Sequence, residues 1–183
     1  MTQNRININL FGNDSVFLLQ VDIKEDERGR FIRVWESNNV FDNFNLSQAS
    51  IVTNPIAGTL RGLHYQSEPY AETKIIQCTS GKIFDVIVDL KQSSKTRFKY
   101  TSIELGPECE FQGLVVPKGY AHGYITLKPN SSIIYFMDAP FSAEHARGLR
   151  WNDPKLDILW PIEPTLVSKL DTSWPILENF NEL

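Results

Sequence analysis

The sequence predicts an all-β protein, a sandwich or barrel of short strands folded as one domain. Three observations carry that expectation. Runs rich in Val, Ile, Phe, Tyr and Thr recur at short intervals, as in Ile83 to Leu90 and Ser132 to Met137, and such residues suit a pleated, half-buried surface. Turn formers separate them, as in Pro117-Lys118-Gly119 and Pro129-Asn130. Hardly any stretch carries helical apolar spacing, and many short strands without helices close into a sandwich or barrel. A chain of 183 residues fits one domain spanning 1–183, since domains run on the order of 100–200 residues.

Residues 1–15 are polar and Asn-rich, an arm or an edge strand. Val16 to Val21 gathers β-formers, Glu25 to Gly29 breaks the pattern as a turn does, and Arg30 to Trp35 starts another strand. Between Asn38 and Phe44, Val40, Phe41 and Phe44 stand at roughly helical spacing and predict one short helical segment. After Pro55, Ala57-Gly58 turns the chain into the strand Thr59-Leu60-Arg61-Gly62-Leu63-His64-Tyr65-Gln66. On a regular pleat Leu60, Gly62, His64 and Gln66 would share one face, with His64 beside a neighbour that has no side chain.

Lys74 to Thr79 and Ile83 to Leu90 flank Ser80-Gly81 and read as a hairpin. In that register Lys74 would face Ile87 and Ile76 would face Asp85, making Lys74 and Asp85 diagonal neighbours. Phe84, Val86 and Val88 would line a core on the other face. Strands follow at Tyr100 to Leu105, Gly113 to Val116, His122 to Leu127 and Ser132 to Met137. The tail, 151–183, carries Pro154, Pro161, Pro164 and Pro175 and reads as ordered coil with a turn of helix, wrapped on the barrel.

The composition, 42% hydrophobic and 22% charged, is that of an ordinary globular protein. A net charge of −4 argues against non-specific nucleic-acid binding. No basic-plus-apolar leader and no apolar run near the roughly 18 residues needed to span a bilayer is visible, so the expectation is a cytoplasmic protein without membrane partners. Cys78 and Cys109 form no C-x-x-C motif and read as buried thiols.

The chemistry rests on few residues. The histidines are His64, His122 and His145, and Gln66 occupies the place two beyond His64 where a second imidazole would complete a strand-borne metal pair. No G-x-S-x-G elbow, P-loop or G-x-G-x-x-G is present. Proton transfer remains: a His base, a Tyr acid and a lysine that stabilises an enolate suit chemistry beside a carbonyl. By pattern alone, however, the structural reading comes first: His64 as a hydrogen-bonded structural histidine, Tyr135 as a core tyrosine, Asp171 as a surface carboxylate and Lys74 as a strand-edge charge.

Several blocks, in order, resolve this. Asp26-Glu27-Arg28-Gly29-Arg30-Phe31, Arg61-Gly62-Leu63-His64-Tyr65-Gln66, Ile83 to Leu90, Val116-Pro117-Lys118-Gly119-Tyr120-Ala121-His122-Gly123 and Arg147 to Pro154 with Trp160-Pro161 closely resemble the dTDP-4-dehydrorhamnose 3,5-epimerase family over nearly the whole chain. The resemblance implies a cupin-type jelly roll, a homodimer, and no metal or organic cofactor. It gives His64 the role of base beside the 4-keto group and Asp171 that of its carboxylate partner. Lys74 would stabilise the enolate with Asp85 orienting it, and Tyr135 would return the proton from the opposite face. Arg61, with Arg28 and Phe31 from a second subunit, would hold the diphosphate and base, and Gln48, Gln66 and His122 would complete the pocket.

The chain departs from the family at three places. Arg33 stands where relatives often carry a Glu that contacts thymine, Phe141 where the paired aromatic usually ends in Tyr, and Val52 and Asn54 where many have serines. The implied substrate is a nucleotide-linked 4-keto-6-deoxy sugar, with dTDP, GDP or CDP as the carrier and a heptose as a variant. Inversion of C3 alone would use the same base as inversion of C3 and C5. A 3,4-ketoisomerase and a non-catalytic sugar-nucleotide binding module are the competing readings.

Overall fold

The computed structural model describes residues 7–11, 13–35 and 44–179. Its strands are β1 (Asn7–Phe11), β2 (Asn13–Gln20), β3 (Ile23–Asp26), β4 (Gly29–Ile32), β5 (Gln48–Asn54), β6 (Thr59–Gln66), β7 (Lys74–Ser80), β8 (Ile83–Asp89), β9 (Tyr100–Leu105), β10 (Gly113–Val116), β11 (Tyr120–Thr126), β12 (Ser131–Met137), β13 (Ala146–Gly148) and β14 (Leu166–Val167). One six-stranded sheet runs β1-β2-β10-β7-β12-β5; the other runs β13-β6-β11-β8-β9, with β14 added in parallel beside β6. The two sheets make the all-β jelly roll that the sequence predicts. Leu18, Ile76, Leu114 and Ile133 of the first sheet meet Ile83, Ile87, Leu105 and Tyr124 of the second in the central core.

Strand positions inferred from the sequence agree closely with these elements, and β1 is the edge strand that residues 1–15 suggested. The helical segment expected from Asn38 falls, apart from Phe44, outside the described residues.

The hairpin around Ser80-Gly81 is a correction. The chain does turn there, with Gly81 at φ +73°, but the turn is a corner between sheets. Strand β7 pairs with β10 and β12, and β8 with β11 and β9. Lys74 therefore lies opposite Val116 and Met137, and Asp85 opposite Tyr124 and Ile103. The physical reason is that β8 has two buried faces. Ile83 and Ile87 point into the central core while Val86 and Val88, with Phe84 packed alongside, join Leu63, Leu149 and Leu156 in a second core beneath the tail. A strand covered on both sides reads as a continuous apolar run and gives no hint of its neighbours.

Strand β6 also departs from simple alternation. His64 pairs with His122 and Arg61 with Tyr124, so three steps on β6 match two on β11. This bulge turns Arg61 and His64 into the same cavity, where a regular pleat would set them on opposite faces. Gly62 makes it possible: its φ is +137°, and a Cβ there would lie 2.5 Å from the Gly123 Cα.

Candidate active site

A cavity of about 510 Å³ opens between the sheets. Arg61 and His64 reach it from β6, His122 from β11, Lys74 from β7 and Tyr135 from β12. The tail closes one side. Thr165 N–H donates to the Gly58 carbonyl at 2.9 Å, β14 runs along Thr59 and Leu60, and the turn from Ser168 brings Asp171 back to His64. That turn is fixed by Asp171 N–H donating to Ser168 Oγ at 3.0 Å and by Thr172 N–H donating to the Ser168 carbonyl at 3.1 Å.

His64 Nε2 lies 2.5 Å from Asp171 Oδ1. A carboxylate only accepts, so Nε2 carries the hydrogen, and in the neutral imidazole Nδ1 keeps its lone pair. Burial opposes ionisation of Asp171, which is 3% exposed, but the His64 contact, Ser168 and the Gly62 N–H outweigh it and hold the carboxyl below its usual range. Lys74 forms an ion pair with Glu72 at 3.1 Å and donates to the His64 carbonyl at 3.4 Å. Its ammonium is thereby tied to the strand that carries the imidazole. Tyr135 lies against His122, ring centroids 6.1 Å apart and edge-on. Burial, followed by the charges of Tyr124 and Asp85, raises its phenol well above the ordinary tyrosine range, so it stays protonated.

Asp85 requires a second correction. Completely buried, it binds His122 Nε2 at 2.8 Å, and Lys74 has Glu72 as its carboxylate instead. The hairpin register that linked Asp85 to Lys74 is not formed, and Asp85 sits on a different sheet. Burial raises its carboxyl, with His122 partly offsetting the shift.

Other predicted binding residues lie elsewhere. Gln66 is buried and fully engaged: its Nε2 donates to the Tyr70 and Pro140 carbonyls and to Glu72, while Oε1 accepts the Ser142 N–H at 2.6 Å. It acts as a bracket for the 140–142 loop and for the partner of Lys74. Gln48 accepts the Phe141 N–H at 3.1 Å, and the Phe141 ring is 66% exposed. Arg28 pairs with Asp26 at the exposed β3–β4 turn, Phe31 is 56% exposed on β4, and Arg33 is exposed just beyond it. None of these six lines the cavity. Sequence reasoning passed over Glu72 and Ser168, because nothing in their local pattern signals what they touch.

Cys78 is 1% exposed and burial pushes its thiol up to about 12, as expected of a core residue. Cys109 is only partly buried. Among the described residues no group of three His, Cys, Asp or Glu side chains is placed to hold a metal ion, and no helix is long and apolar enough to cross a membrane.

Comparison with known proteins gives a consistent picture. The family profile of dTDP-4-dehydrorhamnose 3,5-epimerase matches residues 13–179. The dTDP-4-dehydrorhamnose 3,5-epimerase of Sinorhizobium fredii (strain NBRC 101917 / NGR234) is 46% identical over 157 residues, which cover 83% of this chain and 80% of that protein. The solved structure of the enzyme of that name from Bacillus anthracis str. Ames, with TDP and PPi bound, superposes with a TM-score of 0.87 at 34% identity, covering 94% of this chain and 100% of that one. The dTDP-6-deoxy-D-glucose-3,5-epimerase of Legionella pneumophila Philadelphia 1, in complex with dTDP-4-keto-L-rhamnose, gives 0.89 at 26% identity, covering 97% and 95%. With its jelly roll, its cavity and these relatives, the chain belongs to the dTDP-4-dehydrorhamnose 3,5-epimerase family of isomerase-class carbohydrate epimerases.

Proposed function

We propose that this protein inverts carbons beside the carbonyl of a nucleotide-linked 4-keto-6-deoxy sugar, dTDP being the carrier, by proton transfer between its own side chains with no metal or organic cofactor. The observation that carries the reading is that an imidazole held by a carboxylate, a protonated phenol and an ammonium share one cavity.

His64, with Nε2–H held by Asp171, takes the proton from the carbon next to the keto group through Nδ1. The electron pair of the broken C–H bond moves into the ring and charge builds on the carbonyl oxygen, where the Lys74 ammonium favours it. Tyr135 then delivers a proton to the same carbon from the other face, and the centre is inverted. His122, fixed by Asp85, packs between these groups as wall of the cavity. Arg61 offers a guanidinium suited to a diphosphate.

Arg28 and Phe31 belong in this account to a second copy. They stand on a separate two-stranded sheet, β3–β4, exposed and away from their own cavity. A homodimer that exchanges these hairpins would supply the missing grip on the nucleotide. Light scattering should give twice the 21.0 kDa chain mass, and Arg28→Ala should weaken dTDP binding without changing the mass.

The deciding experiment is incubation with dTDP-4-keto-6-deoxyglucose in deuterated water. Deuterium at C3 and C5, with inversion of both, is expected. Deuterium at C3 alone restricts the reaction to that carbon, and no exchange with dTDP-, GDP- or CDP-linked 4-keto sugars overturns the reading in favour of a binding module.

A further inference from the structure

Behind Lys74 lies a shielded carboxylate that the mechanism above does not use. Lys74 opens β7 and lines the cavity, yet its side chain is only 12% exposed and that of its ion-pair partner Glu72 only 10%. Water weakens an ion pair on the surface; this one is largely screened from it. Glu72 Oε1 lies 3.1 Å from Lys74 Nζ, and Oε2 accepts from Gln66 Nε2, also at 3.1 Å. Gln66 ends β6 and is buried. Both oxygens of the carboxylate are thus held, one by the ammonium and the other by the amide.

The partners fix each orientation. Gln66 Nε2 faces the Tyr70 carbonyl at 3.0 Å and the Pro140 carbonyl at 3.1 Å as well as Glu72, while Oε1 receives the Ser142 N–H. A flipped amide would set its oxygen against three acceptors. The backbone around Glu72 is pinned separately, by Tyr70 N–H donating to the Ser67 carbonyl at 3.0 Å and Thr73 N–H donating to Asp138 Oδ1 at 2.7 Å. Glu72 therefore stands in place without help from Lys74. An ammonium has three hydrogens and accepts nothing. In Lys74 one meets Glu72 and another the His64 carbonyl at 3.4 Å. Among the described residues it has no third partner, so the remaining hydrogen is left for a molecule in the cavity.

We propose that Glu72 is a positioning residue for the epimerisation: held by Gln66, it turns the Lys74 ammonium so that the third N–H meets the oxygen of the 4-keto group. The inference rests on the reading of Lys74 as the group that stabilises the enolate. When His64 removes the proton, the electron pair of the C–H bond moves into the ring and charge gathers on that oxygen. Lys74 donates a hydrogen bond to it and keeps its own proton. A lysine stem is flexible, and a donor helps only when it already stands where the charge develops. Without Glu72, one long bond to the His64 carbonyl would hold the ammonium. Aim therefore outweighs the part of the cation's field that the carboxylate draws off.

Glu72→Ala, Lys74→Met and the double variant form a cycle that tests this in deuterated water with dTDP-4-keto-6-deoxyglucose, following two rates: deuterium entry into the unreacted epimer and formation of inverted product. Both pass through the enolate, so Glu72→Ala should slow both by one factor, about tenfold, with KM and dTDP affinity within about twofold. Lys74→Met should slow both further. The double variant should match Lys74→Met within about twofold, since Glu72 then has no ammonium to aim. Unchanged rates in Glu72→Ala, or losses that multiply in the double variant as those of an independent structural residue would, overturn the inference while leaving the epimerase reading intact. If Glu72→Ala fails to fold, Glu72→Gln, which keeps the size of the side chain and removes its charge, enters the same cycle with the same expected results. Full activity in Lys74→Met would remove the role of Lys74 and the inference with it, and a wild type without exchange would remove the reading underneath.

Discussion

The His64–Asp171 pair is the residue-scale core of the site, and its pH dependence has a definite sign. Asp171 has a folded pKa below its unfolded one, so its contribution to stability is present above the ordinary carboxylate range and is lost as pH falls through the depressed value. Asp171→Asn should therefore be less stable than the wild type from about pH 5 upwards, with the two urea midpoints converging well below pH ~4, where a free Asp is protonated. A difference that grows towards acid pH would contradict the assignment. Ser168 acts through Asp171, by its bond to the Asp171 N–H and its effect on the carboxyl. Ser168→Ala is expected to lower kcat roughly fivefold, the scale of one hydrogen bond, and to leave KM unchanged, which steady-state kinetics would show. The family motifs pointed to His64, Lys74, Tyr135 and Asp171, and these four line one cavity. The partners of Lys74 and Asp85 were not legible: His122 meets Asp85 only through the distant pairing of β8 with β11, and Glu72, two residues before Lys74, stands ahead of the strand in a stretch with no periodic pattern to show where its carboxylate turns.

At the scale of elements, β6 is where sequence and structure part company most usefully. Its residues read as a strand, and a strand they form, but the bulge opposite Gly123 sets which side chains meet the cavity. Alternation alone puts His64 with Gln66 and separates it from Arg61, whereas the structure joins His64 to Arg61 and spends Gln66 on the 140–142 loop. A glycine in a strand marks such an irregularity without saying which way the register shifts. Gly62→Ala should cost ~1–3 kcal/mol through overpacking alone, because its Cβ would meet backbone, Gly123 Cα at 2.5 Å. The urea midpoint should drop with m unchanged, and activity should drop further than stability. The Ser80-Gly81 corner teaches the same lesson in the other direction. Turn chemistry reported that the chain reverses, and the doubly covered β8 concealed that its neighbours come from β9 and β11.

For the whole molecule, two packed layers hold the chemistry together. The sheets carry His64, Lys74 and Tyr135, and the tail carries Asp171 after docking on the outer face of the second sheet through Leu149, Leu156 and Trp160. Stability of that outer core and activity should thus be linked. Leu156→Ala is expected to cost ~2–5 kcal/mol, and its loss of activity on warming should begin below its unfolding transition, as the tail releases Asp171 first. Near-ultraviolet circular dichroism followed beside activity checks this; coincident curves would show that tail and barrel come apart as one. The central claim, that base and acid address one sugar carbon from opposite sides of a shared cavity, is tested most directly by measuring solvent deuterium exchange and inversion separately in His64→Asn and Tyr135→Phe. The account predicts that His64→Asn loses both by about 10²–10⁴-fold, the usual weight of a general base, while Tyr135→Phe continues to exchange its substrate proton and forms almost no inverted product. Exchange surviving in His64→Asn, or inversion proceeding normally in Tyr135→Phe, would contradict it.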